Sequence, residues 1–245
     1  MPMAEPPASC FNRRGFLVST AATPLAGLVG QAQAQPAPQQ PAAAAAPPAG
    51  PEHTAPATEQ GARIFLNNPE ADMLTALVDR LIPPGESGPG GVDAGVVTFI
   101  DHQLAGTFGA ASTWYMRGPF AEGKPGQGWQ YALTPAGMYR HALEALERVV
   151  RAEQGKGVAE LSAAERDALL TRMEKQPFDL SGLPSSAFFE LLLNNTIEGY
   201  FSDPLYGGNR GAATWKQIGY PGANPIRGDL LTDKTPYDGD PVSIG

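Results

Sequence analysis

Between residues 70 and 201, apolar positions at helical spacing, together with capping signals, predict five helices. Met73, Leu74, Leu77, Val78, Leu81 and Ile82 form the first stripe. Asn68 can cap it, Pro69 suits its first turn, and Glu70 and Asp72 favour the positive end of the helix dipole. Pro83-Pro84 ends the helix by removing donors, and a Gly/Pro loop follows from Gly85 to Gly95. Val96, Val97, Phe99, Ile100 and Leu104 could pass for a strand on local propensity. Their spacing and the Asp101-His102-Gln103 continuation favour a short helix. Residues 106–133 are Gly-rich and aromatic and read as a long ordered loop.

Thr134-Pro135 opens the third helix, with Tyr139, Ala142, Leu143, Leu146, Val149 and Val150 facing inward and Gly155 and Gly157 marking its end. Ser162-Ala163-Ala164-Glu165 is a capping box for a fourth helix reaching about Gln176. Pro184-Ser185-Ser186 starts the fifth. There Phe188, Phe189, Leu191, Leu192, Leu193, Ile197, Tyr200 and Phe201 cover nearly the whole circumference, as expected of a centrally buried helix. Asp203-Pro204 stops it, and beyond Tyr206 the chain is Gly- and Pro-rich without periodicity. No two runs alternate well enough to pair as a sheet. The fold class expected is all-α, a single helical domain of about five helices with long loops.

The N-terminal pattern is of another kind. Arg13 and Arg14, followed by Phe16 and Leu17, read as a twin-arginine export signal. Phe16 to Val29 is a modest apolar run interrupted by Pro24, too short and too weak to span a bilayer. Ala32 and Ala34 form a small-x-small cleavage site, so the mature chain is expected to begin near Gln35, in the periplasm. The organisation is therefore a signal peptide at 1–34, a Pro/Ala-rich disordered linker at 35–61, the helical domain at 62–205 and an aperiodic segment at 206–245. That segment is expected to pack on the domain or on a partner.

Charge and chemistry narrow the function. The formal net charge of the 245 residues is −8, and cleavage removes Arg13, Arg14 and Glu5, leaving the mature chain more acidic. Nucleic acid and anionic lipid are bound by cationic surfaces, so neither is an expected partner. The only cysteine, Cys10, lies in the leader, which excludes disulfides and cysteine-held cofactors from the mature chain. The glycine clusters Gly88-Pro89-Gly90-Gly91 and Gly207-Gly208-Asn209-Arg210-Gly211 neither follow a strand nor open a helix, so neither reads as a dinucleotide site. His53, His102 and His141 lack metal-ligand spacing. Glu190 and Glu198, two turns apart on the fifth helix, are the one purchase for acid–base catalysis. Satisfying backbone or cap groups is the preferred reading for both.

Aromatic side chains offer a different use. Trp114, Arg117 and Phe120 in the loop, and Tyr206, Trp215 and Tyr220 in the C-terminal segment, are residue types enriched at interfaces. They can fold back on their own domain or lie along a partner, and aromatic faces can also stack on sugar rings. The sequence thus leaves open a subunit of a larger complex, a stand-alone periplasmic sugar- or cell-wall-binding protein, and an enzyme built on Glu190 and Glu198.

Two segments carry a resemblance. Leu74 to Pro83 with Asp79, Leu81 and Ile82, then Asp93-Ala94-Gly95-Val96 and Phe99-Ile100-Asp101, resembles the opening of the gluconate 2-dehydrogenase subunit 3 family. The run Glu198-Gly199-Tyr200-Phe201-Ser202-Asp203-Pro204-Leu205-Tyr206-Gly207-Gly208-Asn209, with Trp215-Lys216, Ile218-Gly219 and Tyr220-Pro221-Gly222, is similar to its closing motif. The resemblance implies a small subunit without a cofactor of its own. Its implied partners are a large GMC-type flavoprotein holding FAD and, in some complexes, a multihaem cytochrome c holding haem c. It also implies that this chain escorts the flavoprotein through twin-arginine export. Gly207, Gly208 and Asn209 then count as structural or interface positions, with no catalytic residue in this chain.

Overall fold

The computed structural model describes residues 63–223 and 239–245, apart from Ser87, Glu122, Pro125 and Gly126. They belong to one compact unit, His53–Gly245. The signal expected at Arg13, Arg14, Phe16 and Leu17, the cleavage site at Ala32 and Ala34, the linker at 35–61, Cys10 and His53 lie outside the described residues.

Among the described residues the chain forms six helices and no strand. They are α1 (Asn68–Leu81), α2 (Val96–Ala105), α3 (Pro135–Gln154), α4 (Ala163–Lys175), α5 (Ser185–Phe201) and α6 (Ala213–Gln217). The cap of α1 is Asn67 rather than Asn68. Asn67 stands three residues before Glu70, the offset a reciprocal box needs. Its side chain accepts the Glu70 N–H at 2.9 Å while the Glu70 carboxylate accepts the Asn67 N–H at 2.9 Å. Met73, Leu74, Leu77 and Val78 are buried along the stripe. Thr134 caps α3 with Pro135 in its first turn, and Gly155, at φ 71°, closes it in the left-handed conformation. Ser162 and Glu165 form the box of α4. Lys156 and Ser162 both bond the Glu165 carboxylate and hold its pKa down, at about 2.

Helix α5 is the hub, packed against α1, α2, α3 and α4. Phe188, Leu191, Leu192, Asn195, Thr196, Gly199 and Tyr200 are buried, which marks one face. The opposite arc is open to solvent. Ile197 is 45% exposed and Phe201 42% exposed, with Glu190, Asn194 and Glu198 beside them. The expectation that α5 is covered all round is therefore corrected: apolar composition reports what a face prefers, and only its neighbours decide whether it is covered. The described residues just beyond Tyr206, aperiodic in sequence, hold a short 3-10 turn at Arg210–Ala212 and α6.

Candidate functional site

The two sequence segments that carry the resemblance meet at one end of α5. The Arg210 N–H donates to the Ala94 carbonyl at 3.0 Å, and the Tyr200 hydroxyl donates to the Pro89 carbonyl at 2.9 Å. Arg210 reaches the Thr98 hydroxyl at 3.3 Å. The backbones approach closely enough to require glycine. A Cβ on Gly208 would lie 2.1 Å from the Gly199 carbonyl oxygen, and one on Gly199 would lie 2.7 Å from the Phe99 ring.

Asn209 locks this junction. It is fully buried with φ 42°, a conformation that asparagine tolerates better than most residues. Its Nδ2 donates to the Ser202 carbonyl at 3.0 Å, and its Oδ1 accepts the Thr214 N–H at 2.9 Å. The Trp215 indole N–H donates to the Phe201 carbonyl at 2.9 Å, satisfying an acceptor left over at the end of α5. Asp203 gathers the chain from the other side, accepting from the Leu205 N–H at 2.9 Å, the Ser243 hydroxyl at 2.5 Å and the Ile244 N–H at 2.9 Å. Partial burial pushes the Asp203 carboxyl up, but these hydrogen bonds outweigh it and hold its pKa below the usual range.

The residues expected at an interface separate into two groups. Tyr206 and Tyr220 are 45% and 46% exposed at the junction, while Gly208, Asn209 and Trp215 are buried beneath that surface and Gly207 is half-buried. Asn209 and Trp215 therefore support the surface from within. Trp114 belongs to a separate cluster. Its ring meets Phe108 at 5.7 Å and Trp129 at 5.2 Å, and Trp129 in turn meets Tyr131 at 5.4 Å. Arg117 and Phe120 are exposed on the same loop.

Asp101 is a functional residue of the fold that sequence reasoning does not find. Its buried carboxylate accepts the N–H groups of Ile64, Phe65 and Leu66 at 2.7, 3.0 and 2.7 Å, and so pins the entry to α1 onto α2. Arg140 lies over the Phe65 ring at 4.2 Å and bonds Glu70. His141 is half-buried with Nε2 2.8 Å from the Leu180 carbonyl, and His102 packs beside Gly207. Glu190 and Glu198 bond no backbone or cap group of the described residues, which corrects the reading preferred from the sequence. Burial holds the Glu198 carboxyl above the usual range. The described residues contain no group of three or more His, Cys, Asp or Glu able to hold a metal. A cleft of about 530 Å³ between α1 and α3 is lined by Glu70, Glu144, Glu147, Arg140, Arg148 and Arg151. Two of its pairs, Arg140 with Glu70 and Arg151 with Glu147, are already joined as ion pairs.

No curated protein and no solved structure matches the chain. A family model described as gluconate 2-dehydrogenase subunit 3 matches residues 68–222, which span α1 to α6 and both segments of the junction. The chain belongs to the gluconate 2-dehydrogenase subunit 3 family.

Proposed function

We propose that this chain is the small, non-catalytic subunit of a periplasmic dehydrogenase complex whose catalytic subunit is a GMC-type flavoprotein holding FAD. The match of residues 68–222 to the subunit 3 family carries this reading. Oxidation of a sugar acid or related alcohol then takes place in the flavoprotein, and a multihaem cytochrome c, where present, receives the electrons. This chain stabilises the flavoprotein and takes it through the membrane under the Arg13-Arg14 signal. A flavoprotein that acquires its cofactor before export needs a route for folded proteins, and a signal on an associated subunit supplies one. The junction chemistry supports a structural role, because the side chains of Asn209, Thr214, Trp215 and Asp203 bond groups of their own chain.

The test is to replace Arg13→Lys and Arg14→Lys together in the native host and assay the flavoprotein's dehydrogenase activity in periplasmic and cytoplasmic fractions. The reading expects both chains to remain in the cytoplasm. Undiminished periplasmic activity would overturn the escort role.

A further inference from the structure

Among the described residues, the neighbours of α5 cover one side of it, and the other side carries apolar residues interspersed with Glu190, Asn194 and Glu198. Leu193, Ile197 and Phe201 follow one another at intervals of four along the outer side of α5, in line with Phe189, which packs against the core. Phe189 and Leu193 are half-buried, and Ile197 and Phe201 are 45% and 42% exposed. Past the helix end, Leu205 and Ile218 are 57% and 58% exposed. The segment that carries Ile218 is tied to this end of α5, since Trp215 bonds the Phe201 carbonyl and its ring meets Tyr220 at 5.1 Å. Solvent-facing apolar rows of this kind mark association surfaces.

Charge selects the occupant. Glu190 and Glu198 share the exposed arc and have no hydrogen bond or ion pair among the described residues. At about 1.5 Å rise per residue they stand about 12 Å apart along the helix. The neighbouring cation Lys216 is already paired with Asp240 at 2.9 Å. A second copy using the same face would add two more unpaired carboxylates to the interface, and with net charge −8 on each chain this opposes association.

We propose that this outer face of α5, extended by Leu205 and Ile218, docks a different protein that presents apolar side chains and two Lys or Arg groups spaced to meet Glu190 and Glu198. The inference rests on the reading that the chain is a flavoprotein's subunit, and it assigns that partner to this face rather than to the aromatic loop.

The experiment expresses the tagged full chain in its native host and measures flavoprotein recovered per chain, by flavin absorbance and dehydrogenase activity. Ile197→Glu and Leu205→Glu are compared with Tyr115→Glu and Phe120→Glu on the aromatic loop. Glu198→Lys is tested separately. All sites are exposed, and thermal unfolding of each isolated variant checks folding. The proposal expects the first pair to lose about tenfold or more in affinity, the loop pair to retain capture, and Glu198→Lys to weaken capture. Full capture by folded Ile197→Glu and Leu205→Glu overturns the proposal and leaves the subunit reading standing. Absence of flavoprotein from the wild-type capture overturns both. Loss of a homodimer in the first pair, with flavoprotein capture intact, assigns the face to a second copy and also overturns it.

Discussion

Asp101 shows how much one side chain can hold. Its carboxylate serves three backbone donors that lie 35 to 37 positions earlier in the chain. Asp101→Ala leaves those donors without an acceptor in a buried setting, and chemical denaturation should show a loss of about 2–4 kcal/mol. Asp101→Asn keeps one acceptor oxygen and should lose less. An unchanged midpoint in the alanine variant would contradict the anchor. This role is not legible in the sequence, because backbone N–H groups carry no residue signature and their partner is remote.

Glu198 makes a pH prediction. Its folded pKa is raised above the unfolded value, so the folded state binds more protons between the two, and stability falls as pH rises through that window. In the isolated chain, Glu198→Gln should melt at the wild-type temperature below about pH 4 and at a higher temperature than the wild type at neutral pH. A lower melting temperature for the variant at neutral pH would show that the carboxylate stabilises the isolated fold.

At the scale of elements, α1 to α5 can be read from local information, since stripes and caps such as Thr134 and Ser162 lie within or beside their own helices. The exception at α1 is the choice between adjacent asparagines, and the Glu70 offset settles it. α6 is not legible: five residues are too few for periodicity, and its start depends on the Asn209–Thr214 lock. Nor is the open outer face of α5, because periodicity cannot name a helix's neighbours. The close approach at the end of α5 gives the element-scale prediction. Gly208→Ala forces a Cβ against the Gly199 carbonyl, and should cost about 1–3 kcal/mol in unfolding free energy. A stability loss below about 0.5 kcal/mol would mean that the junction yields easily.

For the whole molecule, the described helices build a scaffold whose shared-motif residues bind one another, while an apolar and acidic face remains open along α5. The candidate site is partly legible: Tyr206 and Tyr220 do reach the surface at the junction, and Asn209 and Trp215 lie under it. What the sequence does not convey is the convergence of segments more than 100 positions apart, such as Ala94 with Arg210.

The most direct test of the central claim is the visible spectrum of what co-purifies with the tagged chain from its native host. The account predicts flavin absorbance in a complex with a larger polypeptide that has dehydrogenase activity. A colourless chain recovered alone, under conditions where the host makes the flavoprotein, would contradict it.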